Sequence, residues 1–481
     1  MTSAVYSSQT SYVRDSLKSD IVHIGFGAFH RGHQAVYNDL TNDLSDSKWG
    51  ICEINMFGPA DLIEDLKAQD HLFSVVEKSA SETHTRLVRT ICESIHTPVD
   101  GIAVAIEKMC EPCVKIVSLT ITEKGYCVDP QAGTLDFSNV LIENDLRNPN
   151  SPKSAIGLIS EALRLRRDQG LKPFSVLSCD NIPENGHLTK NAVLAFASAV
   201  DESLGIWIEE NVSFPSTMVD RIVPAMTTDQ FEVIQKETNY LDPCGVVTED
   251  FRQWVIEDNF VAGRPDWDKA GAMFVSDVLP YEEMKLRMLN GSHSFLAYNG
   301  SLAGYEFIYQ CMEDEALKAT TLRLMLEEQA KSLSPALNVD LPEYANLLIA
   351  RFSNTNIKHK TGQIAMDGSQ KLPQRAVDPF IELQNRQIKS ACLPVLVAGW
   401  MHYVIKLIQE GQTLVDPMVA TFTEIVTADT DLQAKKDALF SIEKIFGAHT
   451  KNSLFAEQVT TAFNTITEQG IDSVINSLAT K

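Results

Sequence analysis

The chain has 481 residues, of which 44% are hydrophobic and 22% are charged, so it is an ordinary globular sequence with room for two large domains. Its 41 basic and 64 acidic residues give a net charge of -23, which repels phosphate backbones and anionic membrane surfaces. We therefore expect neither nucleic acid nor a membrane as a partner, but a small-molecule substrate.

The segment from Met1 to Asp20 is polar, and no part of the chain approaches about 18 uninterrupted apolar residues. The nine cysteines are scattered, which indicates reduced thiols rather than a disulfide framework. These features predict a cytoplasmic protein.

Short apolar runs alternate with amphipathic segments in the first half of the chain. The runs are rich in Ile and Val, as buried parallel strands are, and cover 21–25, 49–54, 114–122 and 174–179. Helical patterns lie between them at 32–44, 60–68 and 154–167. This alternation predicts an α/β domain with a Rossmann-type, doubly wound sheet.

The pattern changes to long helical stretches from about residue 280, including 316–332, 391–409 and 431–446. We therefore predict two domains. A Rossmann-type dinucleotide-binding domain covers 1–278, and a predominantly α-helical substrate and catalytic domain covers 279–481.

The first predicted strand leads into the turn Gly25-Phe26-Gly27-Ala28-Phe29-His30-Arg31. Gly25 and Gly27 fit the tight turn and the close backbone approach to a pyrophosphate that a dinucleotide fold needs. A plain strand-to-helix turn is the alternative, but the position after the first strand favours a cofactor site formed by these residues.

An acidic residue near the end of the second strand is expected to bind the adenosine ribose. Glu53 lies 28 residues after Gly25, and no Arg or Lys stands between Ile51 and Leu66. A carboxylate there accepts the ribose hydroxyls and repels a 2′-phosphate, so NAD is favoured over NADP. Asp61 is the alternative acid.

His30 and His33 have a spacing that would suit a metal ion, but no carboxylate-rich motif accompanies them. We interpret them as capping and phosphate-contacting residues, and we predict no metal site.

Polar residues also follow two later apolar runs. Asn181 comes directly after the fourth predicted strand and could donate to a substrate oxygen, although a helix cap and turn would use the same residue types. Asp220 and Arg221 place charges in an apolar run, either as a structural ion pair or with the carboxylate tuning a site.

Lys285, Asn290 and His293 lie on one predicted helix. At about 100° per residue, Asn290 and His293 fall roughly 140° and 80° from Lys285, so all three can face one pocket. An amine, a carboxamide and an imidazole could move a proton on a substrate oxygen, but a buried helix with a snorkelling lysine gives the same spacing.

Five ordered segments together resemble the long-chain mannitol dehydrogenase family, whose members are zinc-independent polyol and sugar-acid oxidoreductases: 21–33, 117–126, 178–186, 218–221 and 285–293. The resemblance continues through 351–354 and 367–369. It implies a Rossmann-type first domain, a helical second domain and a cofactor site that includes Thr120.

The resemblance also implies a role for each polar residue. Lys285 looks like the family's general acid and base, and Asn181 and Asn290 look like its paired carboxamides that hold the developing alkoxide. His293 looks like its substrate-orienting histidine, and Asp220 like the carboxylate tied to proton movement. Burial of the lysine would favour its neutral amine form, and hydride would pass without a metal.

The substrate is suggested by a departure from the mannitol branch, which has an arginine at the position of Gln363. Lys360 and Arg375 offer positive charge nearby that could clamp a carboxylate, although a solvated basic surface is the alternative. The sequence segments around these residues resemble the fructuronate reductase branch more closely, and this resemblance implies NAD-linked interconversion of D-fructuronate and D-mannonate.

Four other functions remain as alternatives. Mannitol 2-dehydrogenase and tagaturonate reductase belong to the same family, and a nucleotide-sensing binding protein belongs to another class. A zinc-dependent dehydrogenase is the fourth.

Overall fold

The computed structural model describes residues 12–79, 81–129, 133–451 and 453–480. The chain divides into two compact units, Met1–Leu279 and Pro280–Lys481. The predicted fold class is confirmed: the first unit contains a parallel sheet flanked by helices, and the second is largely helical.

The described residues of the first unit form eleven strands: β1 Lys18–Ile24, β2 Trp49–Asn55, β3 Phe73–Lys78, β4 Thr83–Val88, β5 Ile91–His96, β6 Ile116–Leu119, β7 Ser175–Ser178, β8 Thr217–Asp220, β9 Val246–Glu249, β10 Gln253–Glu257 and β11 Met273–Val275. Five of them form a parallel sheet in the order β5-β2-β1-β6-β7. Two three-stranded sheets have the orders β11-β10-β8 and β4-β3-β9.

The parallel sheet is covered on both faces, which explains why its strands are apolar at nearly every position. Ile21 and Ile51 pack into one hydrophobic core, and Val22 and Cys52 pack into the core on the opposite face. The strand order reverses between β1 and β6. The loops that follow these two strands therefore flank the crevice where doubly wound sheets bind ligands.

Helices connect the strands of the first unit, and their α-helical bounds are Ala28–Gly32, Gln34–Leu44, Asp61–Ala68, Thr97–Asp100, Ile102–Met109, Thr122–Gly125, Val140–Arg147, Ala155–Asp168, Asn185–Val200, Glu202–Asn211 and Thr228–Thr238. Short 3₁₀ turns cover Arg14–Ser16 and Trp267–Ala270.

The α-helices from the start of the second half onward are Leu279–Met284, Gly291–Leu302, Ile308–Glu313, Glu315–Arg323, Ala330–Ser332, Leu341–Phe352, Thr361–Ile364, Gly368–Leu372, Asp378–Asn385, Cys392–Gln409, Val419–Thr427, Leu432–Phe440, Glu443–Phe446, Ser453–Gln469 and Ile471–Ala479. Three π-helical segments interrupt them at Lys285–Asn290, Leu324–Gln329 and Pro373–Val377, and a 3₁₀ turn covers Gly447–Lys451.

The helix Cys392–Gln409 lies in the core of the second unit. It is long and apolar enough to cross a membrane, but 78% of it is buried inside the fold. Its neighbours include the helices Gly291–Leu302 and Ser453–Gln469. Its apolar character is therefore explained by packing within the unit.

Candidate active site

The turn after β1 is built around Gly25, whose φ is +112°. A Cβ atom at this position would overlap the backbone carbonyl of Thr120, so the close approach of the two chains requires glycine. The Gly25 carbonyl accepts hydrogen bonds from the Gly27 N–H and from the Thr120 hydroxyl, both at 2.8 Å. The crowded position is thus Gly25, whereas a Cβ atom on Gly27 would meet open space.

A cavity of about 700 Å³ opens beside this turn. Residues that follow three neighbouring strands line it: Gly27, Ala28 and Phe29 after β1, Thr120, Thr122, Glu123 and Lys124 after β6, and Cys179, Asp180, Asn181 and Ile182 after β7. The carboxyl ends of parallel strands are where dinucleotide folds bind their ligand. The cavity brings together the predicted cofactor residues of the turn with Thr120 and Asn181.

Asp180, which had no role assigned from sequence, holds one wall of this cavity in place. Its carboxylate accepts hydrogen bonds from the backbone N–H groups of Ile121 and Thr122, at 2.9 and 3.0 Å, and from the Tyr126 hydroxyl at 2.7 Å. Thr122 has a left-handed φ of 61°, so these bonds stabilise a strained turn. Burial raises the pKa of Asp180. An acid directly after a predicted strand was the available signal.

Four residues predicted to bind the cofactor have side chains buried in the interior of the first unit: Phe26, His30, Arg31 and Glu53. The Arg31 guanidinium donates to the Cys244 carbonyl and lies 5.1 Å from the centre of the Phe26 ring. Glu53 is fully buried within β2, before the strand ends at Asn55. The alternative acid, Asp61, is exposed.

His30 and Glu53 belong instead to a buried polar cluster with His23. The two imidazole rings are stacked with their centroids 3.5 Å apart, and His30 Nε2 lies 2.5 Å from Glu53 Oε1. Burial lowers the pKa of both histidines to about 3 and raises the pKa of Glu53 to about 7. The interior therefore favours the uncharged form of all three groups.

The same cluster is the group of potential metal ligands found among the described residues, with ligand atoms within 4.8 Å of one another. A metal ion bonded to two such atoms at about 2.0–2.2 Å would hold them roughly 3.3 Å apart, farther than the contact between His30 and Glu53. His23 Nδ1 and Nε2 each lie 2.8 Å from a hydroxyl, on Ser118 and Thr120. The geometry fits a shared proton better than a metal ion.

The two histidines that were predicted to contact phosphate are both buried. His33 is as deeply buried as His30, and its Nε2 lies 3.1 Å from the Gln253 carbonyl oxygen. Both rings therefore pack within the interior of the first unit.

Asp220 is buried at the end of β8. Its neighbour Arg221 forms an ion pair with Glu77 and also donates to the carbonyls of Gly32 and Glu249, at 2.5 and 2.8 Å. Arg221 is thus a structural cation. The role of Asp220 in proton movement stays a prediction.

In the second unit, Lys285 begins a π-helical turn that ends at Asn290 and continues as an α-helix. The Gly291 N–H donates to the Leu286 carbonyl, which is the five-residue hydrogen bond of a π-helix. Residues five apart lie above one another in such a turn. Lys285 and Asn290 therefore share a face more closely than the α-helical spacing predicts, and Lys285 is only 6% exposed.

Gly291 marks the place where the three π-helical segments meet. A Cβ atom there would lie 2.7 Å from Gln329 Nε2 and 3.1 Å from the Arg375 carbonyl oxygen. Arg375 also donates from its guanidinium to the Asn290 carbonyl at 3.3 Å and to the Ser294 hydroxyl at 3.0 Å. The structure therefore shows Arg375 as a clamp on the helix that carries the predicted catalytic residues, and burial lowers its pKa to about 10.

His293 lies one turn further along, packed 4.3 Å from the Phe352 ring and 5.5 Å from the His359 ring, measured between centroids. Burial lowers the pKa of His293 well below its ordinary value, so the ring is neutral. Four neighbours add to this effect: His359, Arg351, Arg375 and Lys371. The last three carry positive charge, and we call them the cationic group.

Lys360 lies elsewhere in the second unit. It is exposed, pairs with Glu306 at 2.9 Å and lines a cavity of about 640 Å³ together with Gln363. The described residues around that cavity include neither Lys285 nor His293. The ion pair accounts for Lys360, and its predicted contact with the substrate carboxylate is not supported.

Comparison with known proteins gives concordant matches to both halves. The mannitol dehydrogenase Rossmann domain matches residues 19–269, and the mannitol dehydrogenase C-terminal domain matches residues 277–467. The chain is 50% identical to D-mannonate oxidoreductase of Escherichia coli K12 over 474 residues, which is 97% of each chain. It is 49% identical to the uncharacterized oxidoreductase YdfI of the same organism, over 98% of this chain and 97% of that one.

A solved structure shows the same architecture. The ternary complex of Pseudomonas fluorescens mannitol 2-dehydrogenase with NAD and D-mannitol superposes with a TM-score of 0.81 at 36% identity. The match covers 98% of this chain and 96% of that one.

Proposed function

The chain belongs to the mannitol dehydrogenase family of oxidoreductases, and on this premise we propose that it interconverts D-mannonate and D-fructuronate with NAD. The observation that carries the choice of a sugar acid is the cationic group near His293, because positive charge gathered in one place in a chain of net charge -23 favours an anionic substrate. Similarity supports this choice, but it extends equally to a relative whose substrate its name does not state.

The cavity after β1, β6 and β7 fits a dinucleotide, because Gly27 leaves its backbone open and strand ends converge there. NAD is favoured over NADP because no cation lies between Ile51 and Leu66, while Asp61 is exposed after β2. NAD, when bound, accepts the hydride from the carbinol carbon of the substrate.

We assign the proton transfer to Lys285, which receives the hydroxyl proton in oxidation and returns it to the ketone in reduction. Its burial limits competition from water. The carboxamides of Asn290 and Asn181 donate to the substrate oxygen, where negative charge develops. His293, held neutral, orients a substrate hydroxyl, and Asp220 takes part in moving the proton onward.

A steady-state panel tests the proposal. NAD and NADP are each combined with D-mannonate, D-altronate, D-mannitol and D-arabinitol, and kcat/KM is measured for every pair. We expect the highest value with NAD and D-mannonate. Altronate in first place would indicate tagaturonate reductase activity, and mannitol in first place would indicate mannitol 2-dehydrogenase activity; either result contradicts the proposal.

A further inference from the structure

We propose that His359 is the side chain that binds the substrate carboxylate and so selects a sugar acid over a polyol. This inference rests on the proposed function, because it concerns the end of the sugar acid that a polyol lacks. His359 had no role assigned from sequence, and the structure brings it to His293.

The backbone around His359 is fixed. The Ile308 N–H donates to the His359 carbonyl at 3.1 Å. Lys360, the residue that follows His359, forms an antiparallel bridge with Phe307. The His359 N–H donates to the Ile357 carbonyl at 2.9 Å. These hydrogen bonds therefore hold the main chain that carries the ring in place.

The His359 ring meets the His293 ring edge to face, with an interplanar angle of 79°. Its Nδ1 atom is buried and has no hydrogen-bond partner within the part of the chain that the structure describes. A buried polar atom without a partner costs about 1–3 kcal/mol, so a ligand that supplies one gains affinity. Burial, and then Lys371, lower the pKa of His359, which leaves a neutral ring with one N–H donor.

The neighbouring cations are already engaged by the fold. Lys371 Nζ donates to the carbonyls of Ile364 and Met366, at 3.2 and 2.6 Å, and Arg375 donates to the helix that carries His293. Asp367 and Asp416 also act on Lys371, where they oppose the lowering of its pKa by burial. These residues supply positive potential, whereas His359 has ring hydrogen-bonding capacity left for a ligand.

The difference between a sugar acid and a polyol at this end is a carboxylate in place of a hydroxymethyl group. An N–H donated to a carboxylate is a charge-assisted hydrogen bond, roughly twice as strong as one between neutral groups. His359 should therefore act on the binding of mannonate and fructuronate and leave the hydride step unchanged.

The test compares His359→Ala and His359→Asn with the wild-type enzyme, using NAD with D-mannonate and with D-mannitol. We expect His359→Ala to raise KM for mannonate by about 10- to 100-fold with kcat within about fivefold. His359→Asn keeps an N–H donor and should recover part of the loss. Turnover of mannitol should change by less than about threefold in both variants.

The matched control is His84→Asn, which makes the same substitution at an exposed histidine on β4. Equal affinity for NADH in all variants establishes that each is folded. If His359→Ala does not fold, His359→Asn serves as the test protein.

The outcomes separate the two proposals. Wild-type enzyme that oxidises mannonate while His359→Ala keeps its KM overturns this inference and leaves the proposed function standing. Equal losses on mannonate and mannitol also overturn it, because they indicate a general packing role. Wild-type enzyme that accepts only uncharged polyols overturns both.

Discussion

Each unit contains a pair of histidine rings in contact, and the two pairs differ in what surrounds them. His23 and His30 are stacked in the first unit beside the carboxyl group of Glu53. His293 and His359 meet edge to face in the second unit, where the neighbours that act most on His293 are positive.

The difference is consistent with a structural role for the first pair and the proposed substrate role for the second. In the first pair the His23 ring is bonded to the hydroxyls of Ser118 and Thr120, and His30 Nε2 contacts the Glu53 carboxyl group, so the acid lies within the cluster itself. In the second pair the charged side chains that act on His293 are Arg351, Arg375 and Lys371, and positive charge of this kind favours an anionic substrate. Burial alone therefore does not identify the functional pair.

The largest effect that would break this comparison is at Lys285, on the helix of the second pair. Lys285→Ala should lower kcat by about 10²- to 10⁴-fold, because it removes the acid and base of the reaction. Affinity for NADH, measured by fluorescence titration, should stay within about twofold. Lys358→Ala removes an exposed lysine of the same unit and serves as the control. Near-normal turnover by Lys285→Ala would contradict the assignment of proton transfer to this helix.

The next effect distinguishes the pairs by stability. His30→Ala leaves a cavity against His23 and a buried Glu53 without its contact, so we expect the free energy of unfolding to fall by about 2–4 kcal/mol. His359 is only half-buried, so His359→Ala should lower the free energy of unfolding by less than about 1 kcal/mol. Urea denaturation of both variants measures the difference. A larger loss for His359→Ala would reverse the assignment of the two pairs.

The sequence predicted four of the five strands of the main sheet, because these strands are continuous apolar runs between helices; the edge strand β5 was missed. The observed β1, β2, β6 and β7 all fall on those runs. The smaller sheets were missed, because short strands such as β9 and β11 depend on partners distant in the chain.

The burial of Glu53 has a specific physical origin. The acid lies near the end of a strand that was predicted over 49–54, β2 ends at Asn55, and Glu53 pairs in register with His23 of β1. Side chains alternate between the faces of a strand, so Glu53 shares the face of Ile51 and points into the core. The register between strands, which one sequence does not reveal, places the acid beside a histidine.

In the second unit, Lys285, Asn290 and His293 were predicted to lie on one helix, and the structure shows that this helix begins with a π-helical turn. The roles that the family resemblance gives these residues stay predictions. The π turn depends on contacts with two distant segments at Gly291, which local propensity does not encode. His359 was missed for the same reason, because a chain reversal brings it to His293.

A smaller effect is the pH dependence of the stability that the first pair, His23 and His30, contributes. The folded pKa of His30 is about 3, and its unfolded value is about 6.5, so its contribution to stability is present above pH 6.5 and is lost as the pH falls toward 3. Glu53 acts in the opposite direction between pH 7 and 4.5, because burial raises its folded pKa to about 7.

The stability difference between wild type and His30→Gln isolates the histidine contribution. We expect this difference to shrink by about 1 kcal/mol when the pH is lowered from 7 to 5.5, as measured by urea midpoints. His84→Gln, at an exposed position, should leave the wild-type profile unchanged. A difference that grows on acidification would mean that His30 is charged in the folded protein and paired with an ionised Glu53.

The smallest expected effect is at Lys360, where two explanations for a positive charge can be separated. Lys360→Ala removes an exposed ion pair with Glu306, and exposed pairs contribute little to stability. We therefore expect kcat/KM for mannonate to change by less than about threefold, although Lys360 is the next residue after His359. The double variant Lys360→Ala with His359→Ala should match His359→Ala alone. A mannonate-specific rise in KM of about tenfold for Lys360→Ala would instead extend the carboxylate site to this lysine, because only a direct contact gives an exposed cation such selectivity.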